Sequence, residues 1–193
     1  VAGIVPTPAI AHLISYYGAD AGVVISASHN LMEYNGIKFF NNRGYKLPDD
    51  LEDEIEAIIK DEAIDIPAPT GTEVGRVVSV PNAIEDYVDF LKTTVDVDLT
   101  GIKLVLDCAN GAAYKAAPKI FTELGADVHT ICNTPDGTNI NYNCGSTHPE
   151  KLQRFVTQIG ADAGLAFDGD ADRLIAVDQQ GQLVDGDQVM VIC

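Results

Sequence analysis

Basic residues are scarce in this chain. Only 12 Lys and Arg stand against 29 Asp and Glu, a formal net charge of −17. Such a surface repels phosphate backbones at long range, which excludes nucleic acid as a partner. A bound phosphate must instead be held locally, by a few Lys or Arg side chains, by backbone N–H groups or by a metal. Long apolar runs are missing too. None approaches the roughly 20 residues that span a bilayer, and the first residues, Val1 to Ile10, lack the basic start of a secretion signal. No membrane partner and a cytoplasmic location are therefore expected. The four cysteines, Cys108, Cys132, Cys144 and Cys193, include no Cys-x-x-Cys pair. That spacing argues against a zinc site or a disulfide framework and for reduced thiols. The chain opens on Val and closes in an apolar segment, Asp187 to Cys193, with no Gly, Asn or Pro to end it. Both ends read as cut.

What is present suffices for a core. The 193 residues are 46% hydrophobic and 21% charged, enough apolar surface to offset the entropy of ordering. Helical spacing joins Leu51, Ile55, Ile58 and Ile59 after Pro48-Asp49-Asp50. It also joins Ile84, Tyr87, Val88, Leu91 and Val95, with Asn82 as N-cap. Ile120, Phe121 and Leu124 form a third helix closed by Gly125. Leu152, Phe155, Val156 and Ile159 form a fourth, opened by Thr147-His148-Pro149-Glu150 and stopped by Gly160. Between them, Val23-Val24-Ile25, Ile37 to Phe40, Lys103 to Leu106, Val128 to Ile131 and Leu174 to Val177 read as buried strands. The alternation predicts an α/β fold: two tandem domains of mixed, largely parallel sheet flanked by helices. The aperiodic stretch Ile66-Pro67-Ala68-Pro69-Thr70-Gly71-Thr72 marks the boundary. Gly18-Ala19-Asp20-Ala21-Gly22 recurs as Gly160-Ala161-Asp162-Ala163-Gly164, and Gly125-Ala126-Asp127 repeats part of it. The recurrence fits duplicated βα units, and equally a common helix-to-strand turn.

The loops after the two repeated strands carry the chemistry, since open α/β sheets bind ligands beyond the carboxyl ends of their strands. Asp168, Asp170 and Asp172, spaced by small Gly169 and Ala171, can converge on one hard cation such as Mg²⁺. An EF-hand loop is excluded, because its required Gly and Glu are here Arg173 and Gln179. The other reading of the stretch is a solvated acidic turn. Mg²⁺ commonly shares phosphate oxygens, and Arg173 could grip such a phosphate bidentately. In the other loop, Ser26-Ala27-Ser28-His29-Asn30, Ser28 could present a hydroxyl or a covalent phosphate. A hydroxyl needs an adjacent base or a strong field, which His29, Lys38 and the metal could supply. Taken alone, Ser-x-Ser-His also suits an ordinary hydrogen-bonded turn, and Lys38 a snorkelling edge lysine.

The stretches Ile25 to Asn30, Tyr34 to Phe40 and Asp168 to Arg173 resemble the phosphoserine and metal loops of the α-D-phosphohexomutase superfamily. Within it, Val5-Pro6-Thr7-Pro8-Ala9, Asp107 to Ala113, Pro135 to Asn141 and Cys144 to His148 most resemble the bacterial branch that interconverts glucosamine phosphates. The resemblance implies that Ser28 carries the phosphate, and that Asp168, Asp170 and Asp172 hold one Mg²⁺ together with a phosphoserine oxygen. It puts His29 and Lys38 beside the transfer, and Arg173 and Asn30 on phosphate. A phosphorylated hexosamine is the implied substrate, glucosamine 1,6-bisphosphate the intermediate and activator, and a homodimer the form of the whole enzyme. A phosphomannomutase or phosphoglucomutase would share these loops. A phosphatase with an Asp nucleophile and a non-catalytic binding module are the readings of other classes. The implied organisation is the later part of domain 1 over residues 1–73, domain 2 over 74–183 and the start of domain 3 over 184–193. No Glu-x-Ser-Gly sugar loop and no Arg- and Gly-rich phosphate loop are present, so the chain alone should not turn over substrate. Leu31 stands where the family's serine loop has Pro. His148 reads as part of a helix start, Asn110-Gly111 as a turn, and His12 and His129 show no partner pattern.

Overall fold

A computed structural model describes residues 1–61 and 68–192. Ile66 and Pro67 of the expected linker, and Cys193, lie outside the described residues. The first unit runs α1 (Thr7–Tyr17), β1 (Ala21–Ser26), β2 (Gly36–Asn41) and α2 (Asp49–Lys60). After a short helical turn at Gly71–Glu73 come α3 (Ala83–Thr93), β3 (Lys103–Asp107), α4 (Ala113–Glu123), β4 (Asp127–Ile131) and α5 (Glu150–Ile159). The chain continues through β5 (Ala163–Phe167), β6 (Leu174–Asp178), β7 (Leu183–Val184) and α6 (Gly186–Ile192).

Two sheets result. β1 and β2 pair antiparallel from Ala21 against Asn41 to Ser26 against Gly36. The larger sheet has the order β4-β3-β5-β6-β7, parallel across β4, β3 and β5 and antiparallel beyond. Leu104, Val105 and Leu106 of β3 are buried on both faces, as a central parallel strand requires. Leu152 and Val156, four apart on α5, pack there with Val105, Ala166 and Val177. Ala113 and Ala117 of α4 cover the other face with Leu104 and Leu106. A separate cluster joins Ala9 and Leu13 of α1 to Tyr87 and Val88 of α3.

The repeated Gly-Ala-Asp segments are one turn used three times. Gly18 and Gly160 cap α1 and α5 in the left-handed conformation, at φ 65° and 61°, which glycine adopts without a Cβ penalty. In each copy the following alanine donates its N–H five residues back, Ala19 to Ile14 at 2.9 Å, Ala126 to Phe121 and Ala161 to Val156 at 3.0 Å. This bond closes a helix and aims the chain into the next strand.

Three sequence expectations are corrected. Val23-Val24-Ile25 is not a buried strand: only Val24 is buried, because a two-stranded sheet packs one face on α1 and leaves Val23 and Ile25 53% and 73% exposed. The third helix runs from Ala113 to Glu123, starting well before Ile120 and carrying Pro118 inside it. Asn82 occupies the N-cap of α3 without a side-chain cap bond. Helix α2 forms where expected, yet buries none of its residues within this chain.

Candidate active site

Ser28 lies two residues past the end of β1, in a turn that forces it to φ 52°. A non-glycine residue held there is uncommon and signals a backbone fixed by its surroundings. The Ser28 N–H donates to Ser26 Oγ at 2.9 Å, and Asn30 N–H to the Ala27 carbonyl at 2.9 Å. Leu31 follows at φ −71°, within the range a proline ring would impose, so the turn keeps that backbone without the ring.

Residues 168–173 join β5 to the antiparallel β6, Phe167 pairing with Leu174 at the base. Asp168 braces this turn from inside. Its Oδ1 accepts the N–H groups of Asp172 at 3.2 Å and Arg173 at 3.1 Å, while Ala171 takes φ 58°. The three carboxylates consequently each place one oxygen within 4.8 Å of the others. Asp168 and Asp170 are buried, whereas Asp172 keeps some exposure.

The two loops face each other. A Cβ on Gly169 would stand 2.5 Å from the Ser28 carbonyl oxygen, and one on Gly111 would stand 2.3 Å from the Gly169 oxygen, so only glycine permits this approach. Asn141, itself buried, donates through Nδ2 to the carbonyls of Ser28 at 2.8 Å and Asn30 at 2.7 Å. From β2, Lys38 Nζ reaches Asp170 Oδ2 at 2.6 Å and Asp172 Oδ2 at 3.3 Å. Thr7, opening α1, donates its hydroxyl to Asp170 Oδ2 at 2.6 Å and its N–H to the Asp170 carbonyl at 2.9 Å.

The electrostatics separate the carboxylates. Burial, reinforced by repulsion from Asp170 and Asp172, raises the pKa of Asp168 to about 6. Asp170 is buried as well, yet the hydrogen bonds from Lys38 and Thr7 outweigh that burial and hold it below the usual range. Burial pulls the Lys38 pKa down, but its bonds to Asp170 and Asp172 prevail and raise it. Asp168 Oδ2 and Asp170 Oδ1 are buried without any hydrogen-bond partner. Orphaned buried carboxylate oxygens are costly, and a hard divalent cation takes such oxygens as ligands. The donor set fits Mg²⁺.

The remaining expected residues are also located. His29 is half-buried with a partnerless Nδ1. The Arg173 side chain is 60% exposed, its Nε 3.9 Å from Asp172 Oδ1. Asn30 joins the site through its backbone carbonyl. His12 stacks on Phe90 with ring centroids 3.8 Å apart, away from the loops. An open cleft of about 540 Å³ is lined by Ser26 and Ala27 of one loop and by Gly169 and Asp170 of the other, while Ser28, Lys38 and Asp172 are not on its wall. Thr7 and Asn141 carry no local signal in the sequence, since each acts on a loop far along the chain; their segments, Val5 to Ala9 and Pro135 to Asn141, stand out only by resemblance.

Comparison with known proteins bears on the same loops. Over 191 residues the chain is 62% identical to a phosphoglucosamine mutase of Clostridium novyi, covering 99% of this chain and 42% of that protein. A phosphoglucosamine mutase of Acetivibrio thermocellus is 60% identical over 190 residues, with 98% and 42% covered. The chain thus spans well under half the length of these curated relatives. A crystal structure of a phosphoglucomutase/phosphomannomutase family protein from Burkholderia thailandensis superposes with a TM-score of 0.76 at 30% identity, over 97% of this chain and 42% of that one. The family model for phosphoglucomutase/phosphomannomutase alpha/beta/alpha domain I matches residues 1–64. That for domain II matches residues 85–181 and takes in both β5 and the aspartate loop. With about half of its residues inside that second match, the chain belongs to the phosphoglucomutase/phosphomannomutase family.

Proposed function

We propose that this chain carries the phosphoryl-transfer centre of a phosphosugar mutase that interconverts glucosamine 6-phosphate and glucosamine 1-phosphate. The observation that carries this reading is the seating of the Ser28 turn on the aspartate turn, Gly169 against the Ser28 carbonyl, with Lys38 bridging to Asp170 and Asp172. Identities of 58–62% to phosphoglucosamine mutases over nearly the whole chain support the choice of sugar. Ser28 bears the transferable phosphate on its hydroxyl. Asp168, Asp170 and Asp172, with an oxygen of that phosphate, would hold one Mg²⁺, which neutralises charge developing on the transferred group.

The chain's own residues do the positioning on which phosphoryl transfer depends. The strained φ of Ser28 and the Asn141 clamp fix the nucleophile's backbone. Lys38 offsets negative charge at the mouth of the site, and His29 borders the serine. The guanidinium of Arg173 and the side chain of Asn30 are exposed, and would meet a phosphate arriving from solvent. Glucosamine 1,6-bisphosphate serves as intermediate and activator, and turnover belongs to the complete protein. The same reading sets the first boundary at 73/74 and a third unit from 184, supported by family matches that stop at 64, resume at 85 and end at 181. It also takes the complete enzyme as a cytoplasmic homodimer. Among the described residues no helix is long and apolar enough to cross a membrane.

Intact-mass analysis with phosphopeptide mapping tests the proposal, on the chain and on the complete protein, after incubation with hexosamine 1,6-bisphosphate and Mg²⁺. One covalent phosphate confined to Ser28, and loss of mutase turnover in complete Ser28→Ala protein, are expected. An unmodified Ser28 in an active complete enzyme overturns the mechanism.

A further inference from the structure

At the ends of β3 and β4, behind the aspartate turn, lies a second group of ligand-type side chains that phosphoryl transfer does not use. Asp107 ends β3, Cys132 follows β4, and Cys144 sits in the connection to α5. One Asp107 carboxylate oxygen and the two sulfurs all lie within 4.8 Å of one another. The convergence is built by the fold. Cys108 N–H bonds the Ile131 carbonyl at 3.2 Å, Asn110 N–H the Cys132 carbonyl at 2.6 Å, and Asn141 N–H the Ala109 carbonyl at 2.9 Å. These bonds tie the three segments together.

The carboxylate is aimed before any ligand arrives. Asp107 Oδ1 accepts the Ala109 N–H at 2.9 Å and Oδ2 the Gly145 N–H at 3.0 Å. A carboxylate has about four lone-pair sites, so acceptor capacity remains on both oxygens. Held outer-shell bonds of this kind orient metal ligands. The two sulfurs lie within 4.8 Å of each other, and Cys144 Sγ also accepts the Asn110 Nδ2 group at 3.9 Å. Asp107 and Cys144 are fully buried, and Cys132 is half-buried on the open side. Two sulfurs and one oxygen form a soft, low-coordination set suited to zinc-like ions and poorly suited to Mg²⁺.

We infer that Asp107, Cys132 and Cys144 form a second cation site, for a thiophilic divalent ion of the zinc type, with water as fourth ligand on the Cys132 side. Binding makes two metal–sulfur bonds and one metal–oxygen bond as the thiol protons pass to solvent, with no electron transferred. The ligands come from three separate segments, which is why their spacing along the chain does not resemble a zinc motif. The loop that supplies Cys144 also supplies Asn141, so an ion here fastens the support of the Ser28 turn.

Co²⁺ titration of the reduced full chain in excess Mg²⁺ tests the site, because Mg²⁺ occupies the all-oxygen aspartates while Co²⁺ reports thiolate ligation. Thiolate-to-cobalt charge transfer in the near ultraviolet and the visible bands of tetrahedral cobalt should saturate at one ion per chain and vanish when Zn²⁺ is added. In Cys132→Ser the charge-transfer intensity should fall by about half or more, since one of two sulfur ligands is gone. In the unaltered chain, Zn²⁺ should slow alkylation of Cys132, and a chelator should restore it. Absence of the charge-transfer band, an undiminished band in Cys132→Ser, or alkylation of Cys132 at the same rate with and without Zn²⁺ overturns the inference.

Discussion

Asp168 opposes the stability of the fold that holds it. Its pKa rises from 3.8 to about 6, first because it is buried and then because Asp170 and Asp172 repel its charge. A carboxyl that binds its proton more tightly when folded contributes stability that is complete below about pH 3.8 and lost as pH rises through about 6. Over that interval the loss amounts to about 3 kcal/mol. Asp168→Asn removes the charge, keeps the shape and retains an Oδ1 acceptor for the N–H groups of Asp172 and Arg173. In a chelator above pH 7 the variant should therefore be more stable than the parent by about 3 kcal/mol, and near pH 4 the two should converge. Urea midpoints followed by far-ultraviolet circular dichroism from pH 4 to 8 measure this directly. Mg²⁺ should then nearly cancel that advantage at a hundredfold excess over its dissociation constant, where it adds about 2.7 kcal/mol to the parent and little to the variant, and reverse the order at a thousandfold excess, where it adds about 4.1 kcal/mol. A variant no more stable than the parent at pH 7.5 in chelator, or an advantage that does not shrink towards pH 4, refutes the electrostatic reading of this site.

Asn141→Ala loses both donors to the Ser28 turn and puts alanine, without the polar side chain that eases asparagine into the left-handed region, at φ 57°, for about 3 kcal/mol of destabilisation in the same urea assay. Asn141→Gly loses the same bonds but tolerates the backbone, and should recover about 1 kcal/mol of it. Gly169→Ala must push its Cβ off the Ser28 oxygen and off Asn141 Nδ2, which would lie 2.6 Å away, parting the two loops. Mg²⁺ affinity by calorimetry should fall by about tenfold or more, as when other supports of metal ligands are lost. Lys38→Met leaves Asp170, with its side chain 3% exposed, without its counter-charge. The metal-free chain should lose about 2 kcal/mol at pH 7. Because Lys38 helps hold the Asp170 pKa below its unfolded value, that loss should shrink as pH falls and Asp170 takes up a proton; the urea midpoint against pH reports it.

Local features of this fold are legible in the sequence. The apolar stripe of α5 and its Gly160 stop needed only neighbours within a few residues, and so did the small-residue spacing that lets three aspartates share a turn. The contacts that complete the site are not local. Thr7 meets Asp170 across 163 positions and Asn141 meets Ser28 across 113, and no periodicity reports such pairs. Lys38 was visible as a lone cation on a strand, which in isolation suits an exposed edge; its two carboxylate partners come from the other sheet. Burial of β1 is not legible in its apolar run, because such a run describes side chains, whereas burial depends on how many strands and helices flank them. The thiol site was hidden for the same reason as Thr7, its three ligands being brought together only by the crossing of β3, β4 and the loop before α5.

The Thr7 and Lys38 bonds to Asp170, and the Asn141 bonds to the serine turn, stitch the first unit to the second at the candidate centre itself. The apolar packing of Ala9 and Leu13 of α1 on Tyr87 and Val88 of α3 joins the same two units a second time. A body held along two separate seams has no single point about which to pivot. The serine turn is thus kept on its aspartates by polar bonds at the centre and by an apolar seam beside it.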